Sequence, residues 1–177
     1  MLAQTIINTS FVSLPDNVRL QRDARHVSVD SGYVRLTGNK HELGSLIVKS
    51  SGKKVTDFTA TFNVSIKNGT KADGMSFGYG EFNNAAWGEE GPSGRKGVWL
   101  SIDTYKNHGS DPTGLEIWYN NTRYFRKTVP VDQLRGGFKK VVLDVRGDGQ
   151  GSLSYEGVGT FSFTIPPMNP GTNWRFG

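Results

Sequence analysis

Alternation of apolar and polar positions with a period of two runs through most of this chain and predicts strands. Val55 to Ile66 (VTDFTATFNVSI) sets Val55, Phe58, Ala60, Phe62, Val64 and Ile66 among small or polar neighbours, which predicts a long half-buried strand. Phe138 to Arg146 and Gly151 to Tyr155 read as two strands joined through the turn Gly147-Asp148-Gly149, a hairpin signal. Phe161 to Ile165 alternates again and stops at Pro166-Pro167, while Tyr33 to Leu36 and Leu46 to Val48 are shorter strands. Helical periodicity is missing from every window of useful length; Asp132 to Arg135 has room for a single helical turn. About a dozen short strands separated by turn residues predict an all-β protein, an antiparallel jelly-roll sandwich.

Length and composition narrow this further. The 177 residues suit one domain with a substantial core. No apolar run approaches the length of a membrane span, and Met1 to Ser10 lacks the basic and apolar regions of a secretory signal. With no cysteine, disulfides, zinc–thiolate sites and thiol catalysis are excluded. A net charge of +5 permits an anionic partner, but Lys and Arg are scattered among acidic residues without a basic stripe, which argues against nucleic acid.

The candidate chemistry lies between Ala72 and Asn121. Two strand-like segments each end in oxygen donors, Asp73 on one and Asp103, Asn107 and Asp111 on the other, so in the second two carboxylates and an amide fall within nine residues. Oxygen donors at this density are what a hard cation such as Ca²⁺ requires; an Asx-rich turn capping a strand is the competing reading. Tyr79, Phe82 and Trp87, on or near the intervening loop, offer either an aromatic platform for a pyranose face or rings folded onto the core. Trp99 and Trp118 fall inside strand patterns and read as core. Glu89 and Glu90 are adjacent and so are expected to point to different sides, unlike the paired carboxyls of a glycosidase, and His26, His41 and His108 have no metal-like spacing. The expectation is a binding domain with no catalytic residues.

Four segments in order, ADGMSFGYG (Ala72 to Gly80), WGEEGPSG (Trp87 to Gly94), VWLSIDTYKN (Val98 to Asn107) and GLEIWYNN (Gly114 to Asn121), resemble the concanavalin A-like lectin superfamily. The likeness is strongest to legume-type lectins and their bacterial surface-protein relatives. It implies a lectin sandwich in which Asp73, following a cis peptide bond, accepts hydrogen bonds from a sugar. It also implies one Ca²⁺ held by Asp103, the Tyr105 carbonyl, Asn107 and Asp111. Asn107 would touch the sugar as well, Tyr105 or Trp87 would stack on it, and the Gly88 N–H would complete the site. Legume lectins place a second, transition metal beside the calcium, using a glutamate and a later histidine. Ser101 stands at the glutamate position, and Pro112 or Thr113 at the histidine's, so calcium alone is expected.

The resemblance thus implies a calcium-dependent carbohydrate-binding domain of an extracellular or cell-surface protein, with a glycan or polysaccharide as partner. The alternative is a structural adhesion or assembly module that keeps the lectin fold but binds protein, with other subunits of a surface assembly as partners. Arg175 to Gly177 resembles the start of the family's closing strand, so residues 1–177 are expected to form one domain whose last strand is cut short or is supplied by a partner.

Overall fold

The computed structural model describes residues 5–28, 32–38, 42–67, 74–82, 91, 96–106 and 112–177. Among them are thirteen strands and one helical turn: β1 (Val18–Arg22), β2 (Arg25–Val27), β3 (Tyr33–Arg35), β4 (Gly44–Val48), β5 (Phe58–Val64), β6 (Gly74–Gly80), β7 (Gly97–Asp103), β8 (Gly114–Tyr119), β9 (Thr122–Thr128), α1 (Val131–Leu134), β10 (Lys139–Val145), β11 (Gln150–Tyr155), β12 (Gly159–Thr164) and β13 (Arg175–Phe176). Every strand pair is antiparallel. A five-stranded sheet runs β13-β6-β7-β8-β9, a four-stranded sheet runs β12-β11-β10-β5, and β1-β4 and β2-β3 form two small ribbons.

The two larger sheets enclose one core. From the five-stranded sheet come Tyr79, Val98, Leu100, Ile102, Leu115 and Ile117; from the other come Val64, Val141, Leu143, Val145, Leu153 and Phe163. These are alternate residues of their strands, which is why the period-two pattern was readable. Hairpin β10–β11 turns where the sequence predicts: Gly149 sits at φ +90°, a conformation that favours glycine, and its N–H donates to the Arg146 carbonyl at 2.9 Å. The expected strand over Val55 to Ile66 is shorter, because β5 forms ladder bonds with β10 only from Phe58 to Val64.

Tyr155 closes the core beneath α1. It is 1% exposed, and its hydroxyl donates to the Leu134 carbonyl at 2.8 Å. Burial pushes its ionisation from 10.0 up to about 12. Because the folded value lies above the unfolded one, this stabilisation is complete below pH 10 and is lost as pH rises from 10 to 12. At 1.36 kcal/mol per unit, the loss should be about 2–3 kcal/mol. Urea unfolding across that range should show the decline, and Tyr155→Phe should flatten it while costing about 1 kcal/mol at neutral pH. An unchanged slope in Tyr155→Phe would assign the decline to other groups.

Candidate functional site

The five-stranded sheet has a second face. Since Val98, Leu100 and Ile102 point into the sandwich, Trp99, Ser101 and Asp103 of β7 point out of it, as do Glu116 and Trp118 of β8. Trp99 and Trp118 pair across the two strands and stack with centroids 6.2 Å apart and planes 2° apart. Trp99 is buried as its strand pattern predicts, but Trp118 is only half-buried and neither belongs to the shared core, contrary to the reading of both as core residues. Gly78 on β6 leaves room for this packing, because a Cβ there would lie 2.6 Å from the Trp99 Cβ.

Strand register places Asp103 at one end of this sheet. Asp103 pairs with Gly74 of β6 on one side and with Gly114 of β8 on the other. In the sequence Asp73 immediately precedes Gly74, and Asp111 lies three positions before Gly114. Asp103 itself is 8% exposed, and its Oδ1 accepts the Tyr105 N–H at 2.9 Å. That bond is an Asx turn, the competing reading of this segment, and it fixes the direction of the Asp103 carboxylate. Tyr105 is half-buried. Asp73, Trp87, Gly88, Asn107 and Asp111 lie outside the described residues, as do Glu89, Glu90, His41 and His108.

One step along the sheet from Asp103 sits a charged cluster that sequence reading missed. Glu116 pairs directly with Ser101 and is 8% exposed. Its Oε1 lies 3.0 Å from Arg123 Nη1 and 3.1 Å from Arg126 Nε, and its Oε2 accepts the Trp118 indole N–H at 2.8 Å. The Arg123 guanidinium also lies over the Trp118 ring, 5.7 Å from its centroid, a cation–π arrangement. A carboxylate this buried is tolerated because two guanidiniums and an indole satisfy it. The available signal was the alternation of Glu116 with Leu115 and Ile117, which puts an acid on the same sheet face as Asp103.

For Tyr79 and Phe82 the second of the two readings, rings folded inward, is the one the structure shows. Tyr79 and Phe82 are each 1% exposed, so neither forms part of an aromatic platform. Tyr79 belongs to the core, packed on Phe58, Trp174 and Phe176. Among the described residues no helix is long and apolar enough to cross a membrane.

The legume-like lectin family matches this chain over residues 9–141, well over half its length, and the chain belongs to that family. Its fold resembles that of the VIP36 exoplasmic/lumenal domain in a Ca²⁺/mannose-bound form, with TM-score 0.67 and 16% identity over 93% of this chain and 75% of that one. The metal-free form of the same domain gives TM-score 0.69 and 14% identity over 94% and 80% of the two chains. The carbohydrate recognition domain of Emp47p gives TM-score 0.61 and 18% identity over 92% and 78%. A comparison with curated protein sequences finds no match. At these identities the likeness establishes the concanavalin A-like sandwich that the sequence predicts.

Proposed function

We propose that this chain is a non-enzymatic lectin domain that binds a glycan in the presence of calcium. The observation that carries the reading is the register at Asp103, which pairs with Gly74, the residue after Asp73 in the sequence, and with Gly114, three positions after Asp111. The donor set fits calcium: the Asp103 and Asp111 carboxylates, the Asn107 amide and the Tyr105 carbonyl are all hard oxygen ligands. Calcium would supply the charge that neutralises the carboxylates and fixes the segment bearing Asn107. This chain's residues then do the recognition. Asp73 accepts hydrogen bonds from a pair of sugar hydroxyls, the Asn107 amide and Gly88 N–H provide donors, and Tyr105 or Trp87 covers the apolar face of the ring.

Family membership and the Ca²⁺/mannose-bound and Ca²⁺/Man3GlcNAc-bound forms of VIP36 support this reading, and make mannose-rich glycans the first ligands to try. VIP36's domain is described as exoplasmic/lumenal, so the compartment we infer is the secretory lumen or the cell exterior, where calcium and glycans are both present. A glycan screen on the folded chain, with millimolar calcium and with excess EDTA, tests the proposal. Binding that appears only with calcium and falls in Asp73→Ala and Asn107→Ala by about 10- to 100-fold is expected, each lost bond being worth on the order of 1–3 kcal/mol. A blank screen on a calcium-loaded sample would favour the assembly module that binds protein.

A further inference from the structure

Four Asn-x-Ser/Thr triplets occur in the sequence, starting at Asn8, Asn63, Asn68 and Asn120, and none has proline in the middle. The pattern is the acceptor of N-linked glycans in secreted chains, but short motifs also arise by chance, so the structural setting decides. Asn68 lies outside the described residues, while Asn8, Asn63 and Asn120 are all exposed. Asn120 is set apart by its place in the fold. Tyr119 pairs with Thr122 across β8 and β9, which makes Asn120-Asn121 a two-residue hairpin loop. Their φ values of +47° and +66° are the left-handed pair that such a loop requires, a conformation asparagine adopts more readily than most side chains. The Asn120 N–H donates to the Gly97 carbonyl at 3.0 Å, and Asn120 Oδ1 accepts the Gly97 N–H at 3.0 Å. The side chain is thereby held by its oxygen. Nδ2, on the other arm of the planar amide, has no partner among the described residues.

We propose that Asn120 is an N-glycosylation site. The transfer joins Asn120 Nδ2 to the anomeric carbon of an oligosaccharide carried on a lipid diphosphate. The new C–N bond replaces the C–O bond to the diphosphate, which leaves with the lipid. Nδ2 gives up one of its two hydrogens as a proton, and nothing is oxidised or reduced. The product keeps the amide oxygen and one N–H, so the contact of Oδ1 with Gly97 survives and the glycan leaves from the unpartnered arm. Thr122, whose hydroxyl completes the triplet, is exposed as well. Asn63 differs: it stands within the β5 ladder opposite Lys140, and the Ser65 hydroxyl of its triplet donates to the Gly136 carbonyl at 2.9 Å. The hairpin tip also lies far from Asp103, which pairs with Gly114 at the start of β8, whereas Asn120 follows the last residue of that strand. The length of β8 separates the two by roughly 20 Å, so a glycan here leaves the Asp103 end open. It stands instead beside the first residue of β9, the edge strand of its sheet, where bulk hinders edge-to-edge pairing. The inference rests on the secretory compartment inferred above, and on neither the calcium nor the sugar reading.

The test uses the whole chain, directed into the secretory pathway of a eukaryotic cell and recovered from the medium. Peptide mass spectrometry after enzymatic release of N-glycans in heavy-oxygen water should find labelled aspartate at position 120, the mark of a glycan removed there. Two variants check that the triplet is what is recognised. Thr122→Ala removes the hydroxyl and leaves Asn120 in its turn, and Asn120→Asp keeps an oxygen for the Gly97 N–H, so both retain the hairpin. Each should lose the whole of the Asn120 glycan, seen as a drop in the intact mass by one oligosaccharide. A bare Asn120 on the secreted parent chain would overturn the proposal, whether Asn8 or Asn63 is modified in its place or neither is. Modification at Asn120 that persists undiminished in Thr122→Ala would overturn it too, since another feature would then be recognised. Fractionation of the chain's own cells tests the compartment separately. A cytosolic chain never meets the lipid-linked donor, which would overturn compartment and glycan together, whereas a bare Asn120 on a lumenal chain overturns the glycan alone.

Discussion

Asp103→Asn is expected to fold like the parent chain and to lose its response to calcium. The amide keeps an oxygen where Oδ1 accepts the Tyr105 N–H, so the turn after β7 survives while the negative charge is removed. In the parent chain, free calcium at 100 times its Kd should stabilise the fold by about 2.7 kcal/mol. For a domain of this size that is a rise of roughly 5–10 °C in Tm. Losing one of the two carboxylates should weaken calcium binding on the order of 100-fold, which reduces that rise to about 2 °C or less at the same calcium concentration. Thermal melts of both proteins with EDTA and with calcium make the measurement. Superimposed EDTA curves and separated calcium curves are expected. If the variant keeps the parent's full calcium shift, the ion is not held by Asp103.

How much of this was legible in the sequence depends on the range of the contact. The strands were, because alternation is a property of neighbouring residues: Val141, Leu143 and Val145 face the core as their spacing predicts. The family was legible too, since the residue order in ADGMSFGYG and VWLSIDTYKN survives without any three-dimensional knowledge. The arginines at the site were not. Arg126 meets Pro112 across fourteen positions and Arg135 meets Thr104 across thirty-one, and nothing local distinguishes either from Arg123 or Lys127. Trp99 was read correctly as buried but not by what: the side opposite the core is occupied by a stack with Trp118, which only strand register reveals. Strand bounds moved where ladder pairing ends, as at Phe58, because alternation continues beyond the residues that find partners.

Tyr79→Ala should cost about 3–5 kcal/mol, as large-to-small changes of buried aromatic residues do. The ring sits among Phe58 at 5.7 Å, Trp174 at 5.3 Å and Phe176 at 4.5 Å between centroids, so it joins β6 to β5 of the opposite sheet and to β13 beside it. Alternation placed it there: Phe77 and Tyr79 pack against the core while Ser76 and Gly78 pair with Ser101 and Trp99 on the outer face. Its hydroxyl accepts the Val55 N–H at 3.2 Å, tying down the chain just before β5. Truncation would leave a cavity between the sheets and expose that N–H at once. Tyr79→Phe isolates the second effect and should cost only about 1 kcal/mol. In thermal melts the alanine variant should fall by roughly 6–20 °C and the phenylalanine variant by about 2–4 °C, in calcium and in EDTA alike. The calcium-induced shift should be preserved in both, since Tyr79 faces away from Asp103's side of the sheet. A calcium shift that disappears along with the ring would mean that core packing and cation site are coupled through β6, and that the two faces of this sheet do not act independently.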